Sequence, residues 1–230
     1  MGVVALVPAA GRGERLGYGM PKALVPVAGV PLLVRAVRGL FESGCVRHVV
    51  IAAPPSDVDV VNTVTAPLAP AGGAVHVVPG GAERSDSVRS ALVHALRAIP
   101  GTTVVLVHDA ARAFTPPEVV RAVVEAVRAG NPAVVPVLPV VDTVKEVDAG
   151  GLVVATPDRS ALRVVQTPQG FDARVLLRAH EAASSATDDA GLVERLGVKV
   201  ATVPGHQDAM KITTPFDLAV AEALLAGGGA

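Results

Sequence analysis

An α/β fold, in which a mostly parallel sheet is flanked by helices and a β-hairpin arm projects from it, follows from three observations. Short apolar runs alternate with longer amphipathic stretches through the first 137 residues, the pattern of repeated βαβ units. The 50% apolar content is nearly all Val, Ala and Leu, with no Trp, one Tyr and four Phe, as suits strands buried on both faces. After Pro136 the sequence alternates instead, with Gly150-Gly151 between two extended runs, which reads as a hairpin. The fold is therefore read as Rossmann-like.

Taken in order, strands are expected at about 3–7, 47–53, 74–78, 103–107 and 133–137. PLLVRAVRGLFESG is a helix that opens with Pro31 in its first turn and stops at Gly44. ERSDSVRSALVHALRAI and PPEVVRAVVEAVRAG have the same helical spacing. The arm is placed at about 138–162, either projecting from the domain or lying on the sheet as an antiparallel extension. From Asp172 follow a helix to about Ser185, a short helix over 189–195, the strand VKVATVP and a last helix PFDLAVAEALLAG. With 230 residues and no linker-like segment, one domain over residues 1–230 is expected.

Composition removes several function classes. A net charge of −1 offers no basic field for nucleic acid or a membrane surface. The single cysteine, Cys45, rules out an internal disulfide and a Cys-based zinc site. The first apolar run has no basic leader and reaches Pro8 quickly, so it reads as neither a signal peptide nor a membrane span. A cytoplasmic location is expected.

The chemistry concentrates where strands end. Pro8-Ala9-Ala10-Gly11-Arg12-Gly13-Glu14-Arg15 follows the first strand, and in open α/β sheets ligands bind at the carboxyl ends of strands. Gly and Ala let backbone N–H groups approach a triphosphate, although such a turn can equally be a plain chain reversal. The glycines at 11, 13 and 17 miss the dinucleotide spacing G-x-G-x-x-G by one residue, and there is no Walker sequence. Only four of the twenty basic residues are lysines (Lys22, Lys145, Lys199, Lys211), which singles out Lys22 behind Pro21 as a phosphate-facing ammonium.

P-A-A-G-x-G-x-R followed by P-K resembles the signature of nucleotidyltransferases that activate small phosphorylated alcohols. The nearest resemblance is to the 2-C-methyl-D-erythritol 4-phosphate cytidylyltransferase family of the non-mevalonate isoprenoid pathway. Further segments match in order. Gly80-Gly81-Ala82-Glu83-Arg84-Ser85-Asp86-Ser87 resembles the family's cytosine and ribose segment; read alone it could be a helix start capped by Ser85 or Asp86. His108-Asp109-Ala110-Ala111-Arg112 resembles its metal and substrate segment, although an Asp-Arg ion pair in a turn is the plainer reading. Asp142-Thr143, Thr156-Pro157-Asp158-Arg159, Gln166-Thr167-Pro168-Gln169, Thr187-Asp188-Asp189 and Asp208-Ala209-Met210-Lys211 resemble the remaining family segments. Ala82 and Ala209 depart from the family's usual Asp and Asn.

The resemblance implies transfer of CMP from CTP to methylerythritol phosphate with Mg²⁺ held by Asp109. Arg15, Lys22, Arg159 and Lys211 would be catalytic. Pro8, Ala9, Ala10, Gly11, Gly13, Gly80, Gly81, Ala82, Arg84, Ser87 and Asp109 would bind CTP. Arg112, Thr143, Arg159, Thr167 and Thr187 would bind the alcohol phosphate, with Thr143 and Arg159 reaching a second subunit of a homodimer through the arm. A ribitol 5-phosphate cytidylyltransferase, an enzyme using another nucleotide, and a nucleotide-sensing protein without turnover stand as alternatives.

Overall fold

The period-2 alternation of side chains along the first strand divides the core. The structure, a computed structural model, describes residues 2–11, 19–182 and 186–227. Strand β1 (Gly2–Pro8) sends Val3, Ala5 and Val7 to one face and Val4 and Leu6 to the other, and all five are buried. A short hairpin, β2 (Pro26–Val27) and β3 (Val30–Pro31), leads into helix α1 (Leu32–Glu42). Strand β4 (His48–Ala53), helix α2 (Val58–Thr65), strand β5 (Ala74–Pro79), helix α3 (Arg84–Ala98), strand β6 (Thr102–Val107), helix α4 (Pro117–Arg128) and strand β7 (Ala133–Pro139) follow. The five strands read from the first 137 residues thus occur within a residue or two of their expected bounds, while the one read over VKVATVP begins three residues late, at Ala201.

On the β1 odd face, α1, α2 and α4 pack through Leu33, Val37, Val61, Val120 and Val124. On the other face lie α3 and, later in the chain, α5 (Ala173–Ala182) and α6 (Asp189–Arg195), through Val88, Leu92, Leu176 and Val193. A third apolar cluster joins Val25, Val27 and Leu32 to Ala113, Ile212 and Leu218. It ties the chain after Lys22 to the chain after Lys211 and to the last helix, α7 (Pro215–Gly227).

The segment after β7 answers the question about the arm in two parts. Strands β8 (Glu146–Val147) and β9 (Val153–Ala155) form a separate two-stranded hairpin. Its turn is organised by Asp148, whose carboxylate accepts from the N–H groups of Gly150 and Leu152 (both 2.9 Å). Val141, Leu152, Val153 and Val154 are exposed there. The returning chain instead joins the main sheet. Strand β10 (Arg163–Val165) pairs antiparallel with β7, and β11 (Gln169–Asp172) lies antiparallel between β6 and β7. The strand order is β10-β7-β11-β6-β1-β4-β5, and β12 (Ala201–Pro204) pairs parallel with β7. The sheet is therefore mixed, with its β6-β1-β4-β5 half wholly parallel. Among the described residues no helix is long and apolar enough to cross a membrane.

Insertion of β11 depends on Gly170. A β-carbon there would press on Val123 and Val127 of α4 and on Leu106 of β6, all in the packed interior. Gly170→Ala is expected to lower unfolding free energy by about 1–3 kcal/mol, measured by urea titration against the unsubstituted protein.

Candidate active site

A cavity of about 260 Å³ opens at the carboxyl ends of the parallel strands. Pro8, Ala9, Ala10 and Gly11 line it from the end of β1, and Asp109, Ala110 and Ala111 from the end of β6. Gly81, Ala82, Arg84 and Ser87 come from the turn into α3, and Lys22 and Lys211 close it from two loops. Lys22 starts a 3-10 turn, Lys22–Leu24, and its N–H reaches back to the Gly11 carbonyl (3.4 Å). Gly13 and Arg15 lie outside the described residues.

The turn before α3 is braced rather than free. The buried Ser87 hydroxyl accepts from the Gly81 N–H and donates to the Glu83 carbonyl (both 3.1 Å). A β-carbon at Gly80 would lie 2.7 Å from the Ala10 methyl carbon and 2.9 Å from the Ser87 oxygen, so glycine is what allows this turn to sit against the first loop. Neither Ser85 nor Asp86 is the N-cap. Glu83 takes that place, and Asp86 reaches back to accept from its N–H (3.1 Å), because the chain enters the helix two residues before Ser85.

Asp109 sits between two cations. Its Oδ2 is 2.8 Å from Lys211 Nζ and its Oδ1 3.5 Å from Arg84 Nε. Burial raises the Asp109 carboxyl, but the Arg84 guanidinium and the Lys211 ammonium outweigh it and hold the group at about 2. Arg84 also donates from Nη1 to Asp189 Oδ2 (2.7 Å), and Asp189 Oδ1 accepts from His180 Nε2 (3.0 Å). Burial lowers the Arg84 pKa, yet Asp189 and Asp109 together raise it. Among the described residues no group of three or more His, Cys, Asp or Glu side chains gathers to hold a metal. A hard cation that takes one carboxylate and completes its shell with nucleotide phosphate oxygens and water fits Asp109.

Several expected residues are placed elsewhere. Arg112 does not line the cavity; it donates to the carbonyls of Ala209 (2.7 Å) and Val165 (3.2 Å), holding the segment that leads to Lys211. The buried Thr167 hydroxyl accepts from the Asp109 N–H (3.0 Å) and lies 3.1 Å from His108 Nδ1. Thr143 and Arg159 stand exposed on the arm, Arg159 donating to the Val141 carbonyl (2.6 Å), and Thr187 is exposed before α6. Thr143 and Arg159 of the arm do not line the cavity, and neither do Thr167 and Thr187.

The sequence reading quoted Asp189, Gln166 and Gln169 inside matched segments without giving them a role, and it passed over His180. His180 carried a signal, being a polar residue on the buried face of α5 with Leu176 and Ala179. Gln166 and Gln169 grip backbone: Gln166 accepts from the His206 N–H and donates to its carbonyl, while Gln169 accepts from the Ala190 N–H and donates to Asp188.

Comparison with known proteins places these features in context. The family model for 2-C-methyl-D-erythritol 4-phosphate cytidylyltransferase matches residues 3–227. A cytidylyltransferase of that name from Saccharopolyspora erythraea is 69% identical over 227 residues, 98% of this chain and 100% of that protein. One of the same name from Frankia casuarinae is 58% identical, with 97% and 81% covered. The crystal structure of the corresponding Thermus thermophilus enzyme superimposes with a TM-score of 0.79 at 38% identity, covering 98% of this chain and 100% of that one.

Burial sets one measurable property. It pushes the His108 imidazole down to about 4, against the opposing pull of Asp109 and with help from Arg112. The unfolded chain therefore takes up a proton near 6.5 that the folded chain refuses until about 4. Stability from this group is complete above 6.5 and falls as pH drops through that window, by about 3 kcal/mol. Urea titrations between pH 7 and 4 should show the decline, and His108→Gln should flatten it.

Proposed function

The chain belongs to the 2-C-methyl-D-erythritol 4-phosphate cytidylyltransferase family, and from that premise we propose how its own residues carry the reaction. The enzyme transfers CMP from CTP to 2-C-methyl-D-erythritol 4-phosphate, giving 4-diphosphocytidyl-2-C-methyl-D-erythritol and pyrophosphate. Ribitol 5-phosphate transfer and nucleotide sensing without turnover are not favoured, because relatives up to 69% identical carry the methylerythritol phosphate name.

One observation carries the mechanism: Lys22, Arg84 and Lys211 converge on a cavity in which Asp109 is the carboxylate held between cations. Such a site favours an anion entering it. An ionised oxygen of the acceptor phosphate attacks the α-phosphorus of CTP. The bond from that phosphorus to the bridging oxygen breaks, and pyrophosphate leaves with the electron pair. The acceptor phosphate is ionised near neutral pH, so neither a general base nor a covalent intermediate is needed.

Residues 8–11 and Gly13 cradle the triphosphate with their backbone, and Gly80, Gly81, Ala82, Arg84 and Ser87 receive the cytidine. Lys22 and Lys211, with Arg15, neutralise the charge that builds on the α-phosphate. A phosphate oxygen in the cavity competes with Asp109 for Lys211. Mg²⁺ bound at Asp109 would supply charge neutralisation to the phosphates. Arg112 acts by holding the segment that carries Lys211, while Thr167 fixes Asp109. The exposed apolar residues of the arm favour a homodimer in which Thr143 and Arg159, with Thr187, complete the acceptor pocket across the subunit boundary. The lone Cys45 and the small-molecule substrates fit a cytoplasmic enzyme.

Pyrophosphate release across the four nucleoside triphosphates, with methylerythritol phosphate or ribitol 5-phosphate as acceptor, should be confined to CTP with methylerythritol phosphate. Lys22→Ala should lower turnover by several orders of magnitude without changing the far-ultraviolet circular dichroism; near-normal turnover would remove Lys22 from the mechanism.

The arm can be tested by mixing. Lys22→Ala and Arg159→Ala proteins, each inactive alone, should regain about a quarter of normal activity when co-refolded if the arm serves its partner. No recovery means that the arm serves its own subunit.

A further inference from the structure

Asp189 is the most enclosed carboxylate near the site, with 1% of its side chain exposed, yet it does not line the cavity. A buried carboxylate is costly unless fully partnered. Its partners are specific: Oδ2 accepts from Arg84 Nη1 at 2.7 Å and Oδ1 from His180 Nε2 at 3.0 Å. Opposing burial, His180 and Arg84 hold the Asp189 carboxyl below its ordinary value. It is then an acceptor only, so the shared hydrogen sits on His180 Nε2.

We propose that Asp189, backed by His180, is a positioning residue that sets the place of Arg84 and so keeps Asp109 available to Lys211 and the nucleotide. The distances support a directed pull. Arg84 Nη1 is 2.7 Å from Asp189, whereas Arg84 Nε is 3.5 Å from Asp109. The guanidinium is thus held most closely from behind and only loosely against the carboxylate facing the cavity. Without Asp189, a guanidinium in this place turns to a two-pronged pair with Asp109, the geometry that Arg and carboxylate prefer. Such a pair takes the Oδ2 atom that now meets Lys211 at 2.8 Å. The position of Asp189 is itself fixed, since the preceding Asp188 caps α6 by accepting from Gly191 N–H (2.9 Å). Gln169 holds the same helix start through Ala190 N–H (3.1 Å) and Asp188 (2.6 Å).

This inference rests on the proposed reading of Arg84 as a CTP-binding group, and the test separates the two. Steady-state constants per folded molecule are measured for Asp189→Asn, Arg84→Ala and the double variant. Arg84→Ala should lower kcat/KM for CTP about a hundredfold. Asp189→Asn should raise KM for CTP and lower kcat by about tenfold each, leaving KM for the acceptor unchanged, and should add little to Arg84→Ala in the double variant. Unchanged constants for Asp189→Asn, or effects that add fully in the double variant, overturn the positioning role while leaving the reading of Arg84 in place. Unchanged constants for Arg84→Ala remove that reading, and the inference with it. Should Asp189→Asn fail to fold, Asp189→Glu keeps the charge but shifts the guanidinium. Its KM for CTP should then rise several-fold, and a normal value overturns the proposal.

Discussion

Four consecutive residues, Gln166 to Gln169, hold the site together. Gln166 seizes both backbone groups of His206, Thr167 meets the Asp109 N–H and His108, and Gln169 grips Ala190 and Asp188. All three side chains are buried. Each satisfies polar groups that would cost about 1–3 kcal/mol apiece if buried without a partner. The segments so gripped carry Lys211, Asp109 and Asp189. One short stretch thereby fixes three loops that the sheet alone leaves independent.

Upon that scaffold the electrostatics are arranged before any substrate arrives. Asp109 balances Lys211 and Arg84, and Asp189 balances Arg84 from behind. Charges already held in place need not reorganise as the phosphoryl group moves, which is where preorganised sites gain most. The third apolar cluster serves the same end, because it joins the chains after Lys22 and Lys211 through Val25, Val27 and Ile212.

Most of this fold was legible because strands of the central sheet write themselves as short Val-rich runs, and β1, β4, β5, β6 and β7 do so. Strand β11 is written otherwise: Gln-Gly-Phe-Asp has one apolar side chain, and the glycine is demanded by α4 rather than by the strand. Helix α2 is similarly faint, since Val-Asp-Val-Val-Asn-Thr-Val-Thr is rich in β-branched residues. In the site, residues at strand ends could be found because topology predicts where ligands bind. The Arg84–Asp189 pair could not, being 105 residues apart in sequence. Ala209 shows the limit from the other side: what it gives the structure is its backbone carbonyl, accepting from Arg112, which no reading of its side chain reveals.

The place of β11 also orders the birth of the molecule. A growing chain can form β1, β4, β5 and β6 with their helices early, for these pair with one another. Strand β7 then has no neighbour on the β6 side until residues 169–172 have left the ribosome. Through some thirty residues of synthesis, counted from Pro139 to Gln169, β6 is an open strand edge, the feature most prone to pairing with the wrong chain. The exposed apolar arm is made in that same interval, so the nascent protein is at its most adhesive before its centre is sealed.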